Sequence, residues 1–293
     1  MLKPKTSLIG KLEDSHQITT TWILNPQLTK VQTDSLIGDL IKSGFLVKND
    51  MPNHLKVCGT SSIFSKIFNI NINKFKDHND DMIFHVPNSE LVIPKVWENK
   101  VSHILGLNTS KVAHHYSKIL NNSKDITAHA TTTFTPPQLA TLYNFPTGFD
   151  GTGQKIGIIE LGGGFLMSDL TTYFSQLGIT GNPNVTAVSV DGGINNPNDP
   201  SGANIEVLLD IEIIMAIVPK ATILVYFAPN SDKGFYDAIN KAITDGCGII
   251  SISWGAAESF WLSSSMTSFN NLFQTAVTPV PGFICKNSFK NIY

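Results

Sequence analysis

At 293 residues, 42% hydrophobic and 15% charged, the chain has the make-up of an ordered globular protein with room for two domains, not of a disordered one. The formal net charge is −2 and all 21 basic side chains are lysines, so the chain lacks both a bulk positive field and the bidentate arginine that reads nucleic acids; no nucleic-acid partner is expected. No run of 18 apolar residues predicts a membrane span, and the first fourteen residues hold no apolar core of signal-peptide length, so no membrane partner is expected and the compartment stays open.

The first third alternates short strands and helices. His16 to Leu24 is strand-like. Thr33 to Ser43 carries Leu36, Ile37, Leu40 and Ile41 at helical spacing. His54 to Cys58 predicts a short strand, and Ser61 to Phe68 a helix with Ile63, Phe64, Ile67 and Phe68 on one face. Asp81 to Val86 predicts a further strand. This order fits a small α+β, ferredoxin-like unit. His114 and His115, with no clustered partner, are expected at the surface. Cys58, Cys247 and Cys285 are too few and too far apart for a disulfide framework or a zinc site, and buried free thiols are expected.

Character changes near residues 125–137, where Thr131-Thr132-Thr133-Phe134-Thr135-Pro136-Pro137 is loop-like and rich in breakers. Before residue 130 there are 15 lysines against 11 acidic residues, and from 130 onward 6 against 12. The last of the eight histidines is His129. These shifts put a boundary at about residue 129 and define segments 1–129 and 130–293, the second with a divergent tail from about residue 277.

The second segment alternates more regularly. Strands are predicted over Lys155–Glu160, Val185–Val190, Ala221–Phe227 and Gly248–Trp254, and helices over Asp169–Leu177, Glu206–Ile217 and Lys233–Thr244. Strands separated by helices imply a parallel sheet covered on both faces. Sites in such sheets lie beyond the C-terminal strand ends, where Glu160 and Trp254 stand. Gly162-Gly163-Gly164 has neither GxGxxG spacing nor a P-loop lysine, so a tight turn is expected rather than a phosphate cradle.

Glu206 and Asp210 are four apart, on one face of the predicted helix. Taken alone they are either a solvated helix face or a pair set up for proton chemistry. Trp254, taken alone, is a core or a cleft residue. With no histidine after residue 129, a Ser-His-Asp triad housed in the second segment is excluded, and any nucleophile there needs a carboxylate as its base.

Four strings, in order, carry a resemblance. They are Gly153-Gln154-Lys155-Ile156-Gly157-Ile158-Ile159-Glu160-Leu161-Gly162-Gly163-Gly164, Ile205-Glu206-Val207-Leu208-Leu209-Asp210-Ile211-Glu212, Val225-Tyr226-Phe227-Ala228-Pro229-Asn230 and Ser251-Ile252-Ser253-Trp254-Gly255. From Thr135 to about Phe273 the chain resembles the first half of the catalytic domain of the sedolisins, the serine-carboxyl peptidases. Val57-Cys58-Gly59-Thr60-Ser61 and Ile104-Leu105-Gly106-Leu107 resemble that family's prodomain.

The resemblance implies a subtilisin-like α/β parallel-sheet domain, incomplete here, preceded by an α+β prodomain. It implies acid hydrolysis of peptide bonds through an acyl-enzyme, with peptide or protein substrates, the prodomain set against the catalytic part, and secretion. It assigns Glu206 as general base, Asp210 as the carboxylate that orients it, and Glu160 and Trp254 as the extended proton network and substrate cleft. After Phe273 the chain departs from the pattern. The family's oxyanion aspartate, its nucleophilic Gly-Thr-Ser and its calcium site find no match. The expectation is therefore a truncated peptidase precursor, inactive as it stands, with no nucleophile, metal or cofactor in this chain. The alternative is a non-catalytic binding protein whose prodomain inhibits or templates an intact peptidase. Gly59-Thr60-Ser61 imitates the nucleophile motif but matches a strand-to-helix turn.

Overall fold

The computed structural model describes residues 5–51, 53–117, 134–277 and 284–285. Two compact units emerge. One gathers the N-terminal residues through Val112 with Asn230–Tyr236 and Glu258–Leu272. The other gathers Ala113–Pro229, Asp237–Ala257 and the residues from Phe273 on.

The N-terminal part of the first unit runs β1 (Thr6–Lys11), β2 (Gln17–Leu24), α1 (Lys30–Lys42), β3 (Leu46–Met51), β4 (His54–Thr60), α2 (Ser61–Phe68), β5 (Ile72–Asp77), β6 (Ile83–Pro87) and β7 (Val101–Leu105). Thr29 starts α1 through a reciprocal capping box with Gln32, and the helix buries Leu36 and Leu40. Thr60 caps α2, accepting from the Ile63 amide, and Asn69 ends it in the left-handed region at φ 52°. Gly59-Thr60-Ser61 is thus the strand-to-helix turn, and the Ser61 hydroxyl is spent on the Glu13 carbonyl.

A four-stranded sheet runs in the order β3-β4-β2-β7 with every pairing antiparallel. Together with α1 and α2 this is the split βαβ pattern of a ferredoxin-like unit. A second sheet, β1-β5-β6, joins the strand expected at Asp81–Val86, here β6, to two strands that sequence reading left unassigned. Trp22 centres the core, fully buried, with Phe45, Phe68 and Trp97 edge-on around it. Its indole N–H donates to the Thr20 hydroxyl at 2.9 Å, so its polar atom is satisfied. Cys58 is only half-buried, contrary to expectation, because it lies on the sheet face opposite Val57. Cys247 is a buried free thiol.

The later elements are α3 (Pro136–Leu142), β8 (Lys155–Glu160), α4 (Met167–Gln176), β9 (Val185–Ser189), α5 (Asn204–Ile217), β10 (Thr222–Phe227), α6 (Asp232–Thr244), β11 (Ile249–Ile252), α7 (Ser263–Val277) and β12 (Ile284–Cys285). Their strands form the second unit's sheet, in the order β12-β11-β8-β10-β9, parallel throughout. This is the α/β class expected, consistent with a subtilisin-like arrangement. The chain lays β9 and β10 on one side of β8 and β11 and β12 on the other, so the C-terminal end of β8 sits at the switch between the two halves. Ile158, Val207, Ile211, Met215, Ile223, Val225 and Phe227 pack there with α4's Leu170 and Phe174. The boundary expected near residue 129 lies outside the described residues, as do most of the tail residues after 277.

Candidate active site

Each carboxyl group at the candidate site has its own reason for being there. Glu160 is the last residue of β8, paired in register with Phe227 of β10. The side chain is fully buried, and its backbone carbonyl accepts from the Ala228 amide at 3.0 Å. Glu206 and Asp210 come from the first two turns of α5, one buried and one half-buried.

The start of α5 is set by the three-glycine turn after β8. Gly163 has φ +74°, and a Cβ there would come within 2.7 Å of the Ala203 backbone, so only glycine permits the approach. Its N–H is taken by Asp199 at 2.7 Å, and the Phe165 amide by Asn195 at 2.7 Å. These two amides are spent on side chains of the chain itself, as in a structural turn rather than a phosphate cradle.

The two residues that follow β11 close the site. The Trp254 indole donates to Glu160 Oε2 at 2.8 Å. The Ser253 hydroxyl lies 2.8 and 2.7 Å from the two oxygens of Asp210. Beyond them, His114 and Gly255 exchange backbone hydrogen bonds of 2.9 and 3.1 Å in an isolated antiparallel bridge. The His115 ring meets Trp254 edge-on, with centroids 5.2 Å apart. His114 is exposed as expected, whereas His115 is half-buried by that contact.

Electrostatics bind the carboxyl groups into one cluster. Burial raises Glu160 well above the usual carboxyl range; the Trp254 hydrogen bond opposes this, and the charges of Asp210 and Glu206 add to it. Burial likewise pushes Asp210 up to about 6, against the Ser253 hydrogen bond and with the help of Glu206. Trp254 only donates, so Glu160 Oε2 is an acceptor and the proton of the neutral acid belongs on Oε1. That oxygen is buried with no hydrogen-bond partner among the described residues. Glu160, Glu206, Asp210 and Trp254 therefore come together in one cluster, and such an array can hold and pass protons in mild acid.

Sequence reading did not identify Ser253 or His115 as neighbours of the site. Ser253 sits beside the singled-out Trp254, but its partner lies 43 residues earlier. Among the described residues no three His, Cys, Asp or Glu side chains group as a metal would require.

No family model matches the chain. It is 42% identical over 185 residues to kumamolisin of Bacillus sp. (strain MN-32), a match covering 60% of this chain and 33% of kumamolisin. It is 26% identical over 181 residues to the tripeptidyl-peptidase sed5 of Aspergillus fumigatus, covering 55% of this chain and 30% of that one. Pseudomonas sedolisin, a serine-carboxyl proteinase solved with two molecules of pseudo-iodotyrostatin, is a structural neighbour with a TM-score of 0.41 at 22% identity, over 48% of this chain and 40% of that chain. The matches span about a third of the length of the curated relatives, 33% and 30%. Over the part that is matched, the chain is similar to kumamolisin and, through it, to the sedolisin family.

Proposed function

We propose that this chain supplies the carboxyl side of a serine-carboxyl peptidase site, acting on peptides or proteins in acid. The observation that carries the reading is the convergence of Glu160, Glu206 and Asp210 from two elements, with Trp254 hydrogen-bonded to the most buried of them. Glu206 is the general base that takes the proton of a serine hydroxyl as it attacks the peptide carbonyl, and returns it to the leaving amine. Asp210 orients Glu206. Glu160 and Trp254 extend the proton network, and Trp254 also lines the cleft. These roles call for no cofactor. The serine and the oxyanion group have no motif match in residues 1–293, so these residues alone are expected to be inactive.

The bridge between His114 and Gly255 supports a peptide-binding edge beside Trp254. An extended chain added to the segment after β11 gains backbone hydrogen bonds regardless of its sequence, which is how clefts commonly hold peptides. Here the chain's own His114 takes that place.

The test is co-expression of the 293-residue chain with the part of kumamolisin that carries its nucleophile, followed by peptide assays at pH 3–5. Acid turnover that needs both partners and is lost in Glu206→Gln is the expected result. Turnover indifferent to that substitution, or none from a co-purified complex, contradicts the reading. The alternative, a non-catalytic inhibitor or template, rests on the ferredoxin-like unit. Inhibition of intact kumamolisin by the chain, unchanged in Glu206→Gln, would favour it.

A further inference from the structure

We propose that Ser253 is a positioning residue of this site, whose hydroxyl holds the Asp210 carboxyl group from the end of the sheet and so controls the charge next to Glu206. Asp210 belongs to α5 and Ser253 to the segment after β11, 43 residues away. The serine Oγ is 2.8 Å from one carboxyl oxygen and 2.7 Å from the other. A hydroxyl has one proton to give, so it serves the two oxygens alternately and stays engaged with either. A carboxylate held in this way cannot swing out of line without losing its donor in a half-buried setting.

The neighbouring residue does the same for a second acid. Consecutive residues of an extended segment point to opposite sides, and Trp254 uses its side chain on Glu160. One dipeptide thus serves two carboxyl groups from two elements. The other charge bearing on Asp210 is negative: Glu206, on its own helix, which favours a protonated Asp210. Ser253 is the donor that favours the ionised form. A neutral Asp210 would leave Glu206 without its charged neighbour.

This inference rests on reading Asp210 as the group that orients Glu206, but its test is made on Asp210 itself and needs no turnover. The whole chain, labelled with carbon-13 at the aspartate carboxyls, is titrated by NMR as wild type, Ser253→Ala and Ser253→Thr. Loss of one hydrogen bond to a carboxylate is expected to raise the Asp210 midpoint by about one pH unit in Ser253→Ala. Ser253→Thr keeps the hydroxyl and is expected to stay within about 0.3 unit of wild type. Ser253→Cys, nearly the same shape with a weaker donor, is expected to fall between, and replaces the alanine variant should that variant not fold. An unmoved midpoint in the alanine and cysteine variants, or a threonine shift as large as the alanine one, overturns the proposal. Failure of the co-expressed enzyme to cleave peptides would leave this result standing, so the two claims fail separately.

Discussion

Glu160 is the most buried acid of the proposed site. A fully buried carboxyl at the end of a central strand is costly when ionised and needs a donor, and the only donor to its side chain among the described residues is the Trp254 indole. Replacing Trp254 with phenylalanine keeps most of the packing and removes that donor. The expected cost at pH 7 is about 1–3 kcal/mol, read by chemical denaturation; an unchanged midpoint would mean that the hydrogen bond does not hold the acid. Glu160→Gln has the opposite sign, because a neutral amide removes the buried charge. It is expected to be more stable than wild type at pH 8 and no more stable at pH 4, where the acid is already neutral. Much of this was legible in the sequence: an acidic residue ending an apolar strand, and a tryptophan ending another. Ser253 was not, because a serine at a strand end looks the same with or without a carboxylate across from it, and that carboxylate is far away in the chain. His115 was not, since a ring on an indole leaves no spacing signal.

Elements position these residues, and the most exacting joint is the turn from β8 towards α5. Gly163→Ala would place a methyl within 2.7 Å of the Ala203 backbone at a left-handed φ of 74°. Loss of at least about 2 kcal/mol of stability in the second unit is expected, whereas Gly153→Ala, left-handed too but with open space around it, is expected to cost less. Equal costs for the two would show that close approach is not what requires Gly163. The helices and parallel strands were largely legible, since α2 and β8 follow the apolar spacing of their residues to the end. Two kinds of element were not. Strand β5, Ile72-Asn73-Lys74-Phe75-Lys76-Asp77, carries too many lysines to read as a strand, and it exists because β1 and β6 pair with it on either side. Helix α3 begins at Pro136-Pro137, which read as a breaker. Proline in the first turn gives up no hydrogen bond, and Gln138 reaches back to the Thr135 amide at 2.8 Å to close the cap.

At the scale of the molecule, the buried acids of the second unit give its stability a definite pH dependence. Asp210 goes from an ordinary 3.8 to about 6 in the folded state, and Glu160 is raised well above the usual carboxyl range. The folded state therefore binds more protons than the unfolded one between those limits. The stabilisation is complete below the ordinary value and is lost as pH rises through the folded one. For Asp210 the window is worth on the order of 3 kcal/mol. Amides of β8 and β10 are expected to gain protection from hydrogen exchange between pH 7.5 and pH 5, after correction for the intrinsic rate; lower protection at pH 5 would contradict this. The first unit carries an opposing term in His85, which burial lowers from 6.5 to about 4, so its imidazole costs stability as pH falls through that range. Leu142, Tyr143 and Phe149 are exposed at 68%, 74% and 76%, an apolar surface that favours association. Leu142→Lys with Phe149→Lys is expected to raise solubility without lowering the melting temperature.

The central claim is that Glu160 and Asp210 titrate under the charge of Glu206, in one cluster. Its most direct test is a carboxyl-carbon NMR titration of Glu160 and Asp210 in the wild-type chain and in Glu206→Gln. The expected result is an Asp210 midpoint near 6, a Glu160 midpoint above the ordinary carboxyl range, and downward movement of both when the Glu206 charge is removed. Ordinary midpoints for Asp210 and Glu160, unmoved by Glu206→Gln, would make the three residues independent acids and contradict the account.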